Sequence, residues 1–103
     1  MGTRGENEAA ELADRMKELR DKIDALDEEL VRLLNARAEC ALALGALKGD
    51  AGLETYQPAR EREVLSHARQ INGGPLESGA ITRLFERIID ENRRLERLKE
   101  ERK

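Results

Sequence analysis

Two cations stand where an apolar register should admit none. Leu26, Leu30 and Leu33 step along one helical face; the next step of four falls on Arg37, and eleven residues later, close to three full turns, the same face reaches Lys48. A guanidinium on a core-facing side is costly without a partner, so Arg37 either meets a carboxylate of the protein or waits for an anionic ligand. A second interruption follows Ile81, Phe85 and Ile88/Ile89, where the stripe continues into Asn92 and Glu96. A third precedes Val64 and Ala68, whose face extends backward to Gln57, Arg60 and Glu61. With Arg20 on the flank of the first stripe, Arg20, Arg37, Lys48 and Arg60 outnumber Glu61 and Glu96. The pattern implies a positive cavity suited to a small anion.

Each of these residues also has a plainer reading. Arg20 is followed by Asp21 and Asp24 and either forms a surface pair within its own helix or leans across a seam to another chain. Arg60 has Glu61 and Glu63 close by as structural partners. Glu96 sits between Arg93 and Arg97, and spacing alone favours a solvated face for it. Arg37 resists this treatment because it lies in the apolar register itself. His67 has no companion ligand at metal spacing, so neither a metal site nor a histidine-based triad is expected. Cys40 reads as a core residue rather than a nucleophile. Gly73 and Gly74 precede Pro75 without the strand, helix and lysine of a phosphate loop, and read as a turn.

The elements that must position these groups are helices. Leu12, Met16, Leu19, Ile23, Leu26, Leu30 and Leu33 alternate spacings of four and three, and the stripe continues to Leu47 before Gly49, Asp50 and Gly52 stop it. Roughly 36 residues of helix would span about 54 Å, more than a compact domain of this size can cover, so a second copy of the chain is the expected partner. Gly49 to Gln57 reads as a loop. Pro58 suits the first position of a second helix running to about Ile71, with Val64, Leu65, Ala68 and Ile71 inward. Ser78 is the expected N-cap of a third helix, with Ile81, Leu84, Phe85, Ile88 and Ile89 on one face and a fraying, charged end. The fold class is all-α: residues 11–103 make one helical domain, and the polar stretch 1–10 is expected to be disordered.

Composition narrows the function. In 103 residues, 19 Lys and Arg face 22 Asp and Glu, for a formal net charge of -3, and Tyr56 and Phe85 are the only aromatics. Neither the basic field nor the stacking faces of a nucleic-acid binder are present. No apolar run is long enough for a spanning helix, the opening residues lack the pattern of a signal peptide, and a lone cysteine fits a reducing cytoplasm.

The sequence resembles the type II, all-α chorismate mutase family. The stretch LRDKIDALDEELVRLLNAR from Leu19 to Arg37, then Lys48, then YQPAREREVL from Tyr56 to Leu65 and ITRLFERIIDENRRLE from Ile81 to Glu96 are similar to that family in order and spacing. The resemblance implies an intertwined homodimer of three-helix chains whose long first helices cross, with two active sites, each borrowing Arg20 from the other chain. The implied reaction is the rearrangement of chorismate to prephenate on the route to phenylalanine and tyrosine, with no cofactor. Arg37 and the borrowed Arg20 would bind the two carboxylates. Lys48 would meet a carboxylate and the ether oxygen, Glu61 would receive the ring hydroxyl with Arg60 in the same wall, Asn92 would reach the ring carboxylate and Glu96 the ether oxygen.

Three positions depart from the family pattern. Gln57 stands where an acidic residue before the proline is common, Asn92 replaces a small hydroxyl residue, and Glu96 replaces a frequent Gln. An ionised carboxylate cannot donate to an ether oxygen, so Glu96 is expected to act protonated. Isochorismate-pyruvate lyase, which shares the fold and a similar cationic pocket, is the rival enzyme. A non-catalytic helical dimerisation module is the rival from outside enzymology.

Overall fold

A computed structural model describes residues 3–54 and 56–102, which form three α-helices: α1 (Arg4–Asp50), α2 (Pro58–Ile71) and α3 (Ser78–Glu101). The chain divides into two units, Met1–Asn35 and Ala36–Lys103.

In the first unit, α1 begins well before the apolar stripe. The Thr3 backbone N–H donates to Glu6 Oε2 at 3.1 Å and the Glu6 N–H donates to Thr3 Oγ1 at 3.3 Å, a reciprocal capping box that satisfies two of the helix's orphan donors. Residues 4–10, expected from their polarity to be disordered, are therefore helical; Met1 and Gly2 lie outside the described residues. Pairs at i,i+4 such as Arg4–Glu8 (3.2 Å) and Lys17–Asp21 (2.9 Å) add small, solvent-screened support. The stripe from Leu12 to Leu33 forms as the spacing predicts, and its seven members are 41% to 62% exposed within one chain.

The second unit holds the rest of α1, α2 and α3. A Schellman motif ends α1: Leu53 N–H donates to Lys48 O (2.8 Å) and Gly52 N–H to Gly49 O (3.1 Å), with Gly52 at φ 71°. The left-handed conformation at Gly52 explains why a glycine follows the helix there, and the turn it closes anchors the backbone of Lys48. The helix thus runs through Gly49 and Asp50, two residues into the expected loop. Pro58 occupies the first turn of α2 as expected, after Gln57 at the N-cap.

Between α2 and α3, the Asn72 side chain donates to Leu76 O (2.7 Å) and accepts from Gly74 N–H (3.1 Å), which organises the turn that GG-Pro marks in the sequence. The N-cap of α3 is Glu77, one residue before the expected Ser78, and its side chain makes no cap hydrogen bond. Ser78 is the first helical residue, and its carbonyl accepts from Thr82 Oγ1 at 2.9 Å. Helices α2 and α3 pack on each other, with Arg69 Nη1 donating to Thr82 Oγ1 across them at 3.3 Å. Ala68 is the one buried residue among those described; Val64, Leu65, Ile81, Phe85, Ile88 and Ile89 are half-buried. Ile71 and Leu84, expected inward, are 66% and 53% exposed, Ile71 because it ends its helix.

Candidate active site

One cleft of about 280 Å³ lies wholly within the second unit. Each helix contributes one face to it. Arg37, Ala41, Leu44 and Lys48 succeed one another at spacings of four, three and four on α1; Gln57, Arg60, Glu61 and Val64 come from the first turns of α2 and its cap; Ile89, Asn92, Arg93 and Glu96 come from α3. The apolar members of each stripe make the floor, and the polar interruptions read from the sequence make the walls. Seven of the eight predicted site residues are gathered here.

The eighth, Arg20, belongs to the first unit and is not among the cleft residues. Among the described residues Arg20 makes no ion pair with Asp21, which pairs with Lys17, or with Asp24.

Arg37 makes no ion pair among the described residues; its Nη1 donates to Asn92 Oδ1, a neutral acceptor. Since arginine only donates, this bond fixes the orientation of the Asn92 amide, whose NH₂ group is left to donate elsewhere. The charge of Arg37 therefore stays uncancelled. Arg60 bonds Glu63 at 3.3 Å with both side chains well exposed, so the structural partner proposed for it exists while it still lines the cleft. Four cations, Arg37, Lys48, Arg60 and Arg93, face two carboxylates, Glu61 and Glu96, around the cavity, and Glu61 is already paired to Arg93. The cleft is positive inside a chain of net charge -3.

Glu96 is half-buried on the cleft wall rather than on a solvated face. Burial pushes its carboxyl above the ordinary value of 4.5; Lys48 opposes that shift, Glu100 reinforces it and Arg93 opposes it. Its side chain reaches the backbone of α1 at Gly45, where an added Cβ would sit 3.3 Å from both Glu96 Cδ and Oε2. Two residues differ from the sequence reading. Cys40, expected in the core, is an exposed thiol at the cleft. Arg93 was hidden in the charged run RR around it; its position four after Ile89 and one after Asn92 is the spacing signal that places it on this wall.

Comparison with known proteins identifies this arrangement. The chorismate mutase type II family model matches residues 19–97. The chain belongs to the chorismate mutase type II family. It is 42% identical over 78 residues to a bifunctional chorismate mutase/prephenate dehydratase of Neisseria gonorrhoeae, covering 76% of this chain and 21% of that protein. It is also 42% identical over 82 residues to the enzyme of the same description from Pseudomonas aeruginosa, covering 74% and 22%. The chain thus spans about a fifth of the length of these curated relatives. Among solved structures, a chorismate mutase (form II) from Thermus thermophilus superposes with a TM-score of 0.79 at 34% identity, covering 81% of this chain and 94% of that one. The match to the family takes in α2 whole, α1 from Leu19 and α3 to Arg97, and with them every residue of the cleft.

Proposed function

We propose that this chain rearranges chorismate to prephenate, as a homodimer in the cytoplasm and without a cofactor. The observation that carries the proposal is the uncancelled charge of Arg37 beside Lys48 in a cleft with an apolar floor: a site built for a small dianion. A pericyclic shift requires no nucleophile and no proton relay. It requires a flexible substrate folded into its reactive conformer and positive charge where the breaking C–O bond becomes negative.

Arg37 takes one carboxylate in a bidentate grip, and Arg20 of the second chain takes the other. Asn92, its oxygen held by Arg37, donates its NH₂ to the ring carboxylate. Glu61 accepts the ring hydroxyl, with Arg60 and Gln57 completing that wall. These contacts bind ground and transition states alike. Acceleration comes from Lys48 and Glu96 at the ether oxygen, whose bonds strengthen as charge builds there. For Glu96 this requires the protonated acid, and its raised pKa supports that role. The dimer is supported by the exposed leucines of α1, each of which gains roughly 1.5–3 kcal/mol when fully covered.

The test is to supply the purified chain with chorismate and, separately, with isochorismate. Prephenate from the first supports the proposal. Pyruvate released from the second, with chorismate left intact, would instead mark a lyase, and inertness toward both a dimerisation module.

A further inference from the structure

Among the described ion pairs, Arg93–Glu61 alone joins two helices; the others link residues three or four apart on one helix. It is also the most sheltered of them, with side-chain exposures of 29% and 27% against 75% and 45% for Arg87–Glu91. Arg93 Nη2 meets Glu61 Oε1, while its guanidinium carbon lies 5.0 Å from the centre of the Tyr56 ring, on the connection between α1 and α2. Asp90, at 4.0 Å on the same helix, is a more distant companion. A guanidinium is suited to both contacts at once, because its flat face lies over the ring while its N–H edge remains free for a carboxylate.

We infer that Arg93 is a positioning residue for Glu61: one guanidinium fastens Tyr56 and Glu61 to α3 and engages one carboxylate oxygen, leaving the other to accept the substrate's ring hydroxyl. This rests on the role proposed for Glu61. A carboxylate has about four lone-pair sites, so the arginine does not exhaust it. By holding Glu61 in one rotamer before substrate arrives, Arg93 spares binding the cost of ordering that side chain. The ring hydroxyl keeps its bond throughout the rearrangement, so the benefit falls on KM rather than kcat.

The experiment compares Arg93→Gln, Arg93→Lys, Glu61→Gln and the double variant Arg93→Gln/Glu61→Gln for KM and kcat with chorismate. Tyr56 is the only tyrosine and tryptophan is absent, so acrylamide quenching of tyrosine fluorescence reports the clasp without substrate. Arg93→Gln should raise KM roughly three- to tenfold, with kcat changing less, and should make Tyr56 more quenchable. Arg93→Lys, which keeps the charge without the flat face, should recover part of the KM. The double variant should be no worse than Glu61→Gln, because Arg93 acts through Glu61. Multiplying effects would overturn the inference by showing that Arg93 contacts substrate itself; unchanged KM with only a lower Tm, or unaltered quenching, would overturn it too. A wild-type chain without turnover would defeat the functional reading instead, which is a separate result.

Discussion

Glu96 is the residue whose chemistry departs furthest from a passive charge. Burial raises its pKa, so the folded chain binds this proton more tightly than the unfolded one. The associated stability is fully present below the ordinary value of 4.5 and is lost as pH rises through the folded-state pKa. Activity should follow the same proton. With Glu96 as donor to the ether oxygen, kcat should fall on the alkaline side, approaching about tenfold per pH unit once the carboxyl ionises. Glu96→Gln donates at every pH and should flatten the profile; a variant whose pH–rate curve matches the wild type would remove Glu96 from the reaction. Stepping along the stripe of α3 reached this residue, while its flanking Arg93 and Arg97 favoured a solvated face; periodicity records which side of a helix a residue occupies and not what another helix sets against it.

That setting is an element-level property, and Gly45 of α1 provides the clearance for the Glu96 side chain. A Cβ there would press on Glu96 at 3.3 Å, tight enough to move the carboxylate by a few tenths of an ångström. Alanine is otherwise favoured in a helix interior over glycine by about 0.8–1 kcal/mol. Gly45→Ala should therefore leave the Tm equal or higher while lowering kcat about five- to tenfold; unchanged kcat would show that Glu96 does not depend on the clearance. At the other end of the same segment, Gly52→Ala forces a left-handed conformation on a residue with a Cβ and should cost about 1 kcal/mol, read as a lower Tm. The helices themselves were legible in the sequence, with α2 spanning Pro58–Ile71 as the proline and the apolar spacing indicate. Boundaries set by local hydrogen bonds were less so: the Thr3/Glu6 capping box extends α1 backward, and the Schellman turn carries it forward to Asp50.

At the scale of the whole molecule, what a single chain leaves undone becomes informative. Its long apolar stripe is uncovered and Arg20 is absent from the cleft. The sequence supplied both expectations: helix length called for a covering partner, and Arg20 on the stripe's flank allowed a reach across a seam, to which the family resemblance added the specific role of completing the partner's site. Sedimentation should give twice the 11.6 kDa chain mass. Mixing Arg20→Ala and Arg37→Ala chains, each inactive alone, should restore about one quarter of the wild-type sites, because half of randomly assorted dimers are mixed and each holds one intact site. No recovery on mixing would mean that Arg20 is not shared across the interface.

The decisive measurement is prephenate formation by the wild-type chain and by Arg37→Ala at saturating chorismate, with helicity followed by circular dichroism. The wild type should convert chorismate quantitatively, and the variant should lose turnover by at least about a hundredfold while keeping its helical signal. Retained turnover in a folded Arg37→Ala chain, or a wild type that leaves chorismate untouched, would contradict a cleft built to hold and rearrange a dianion.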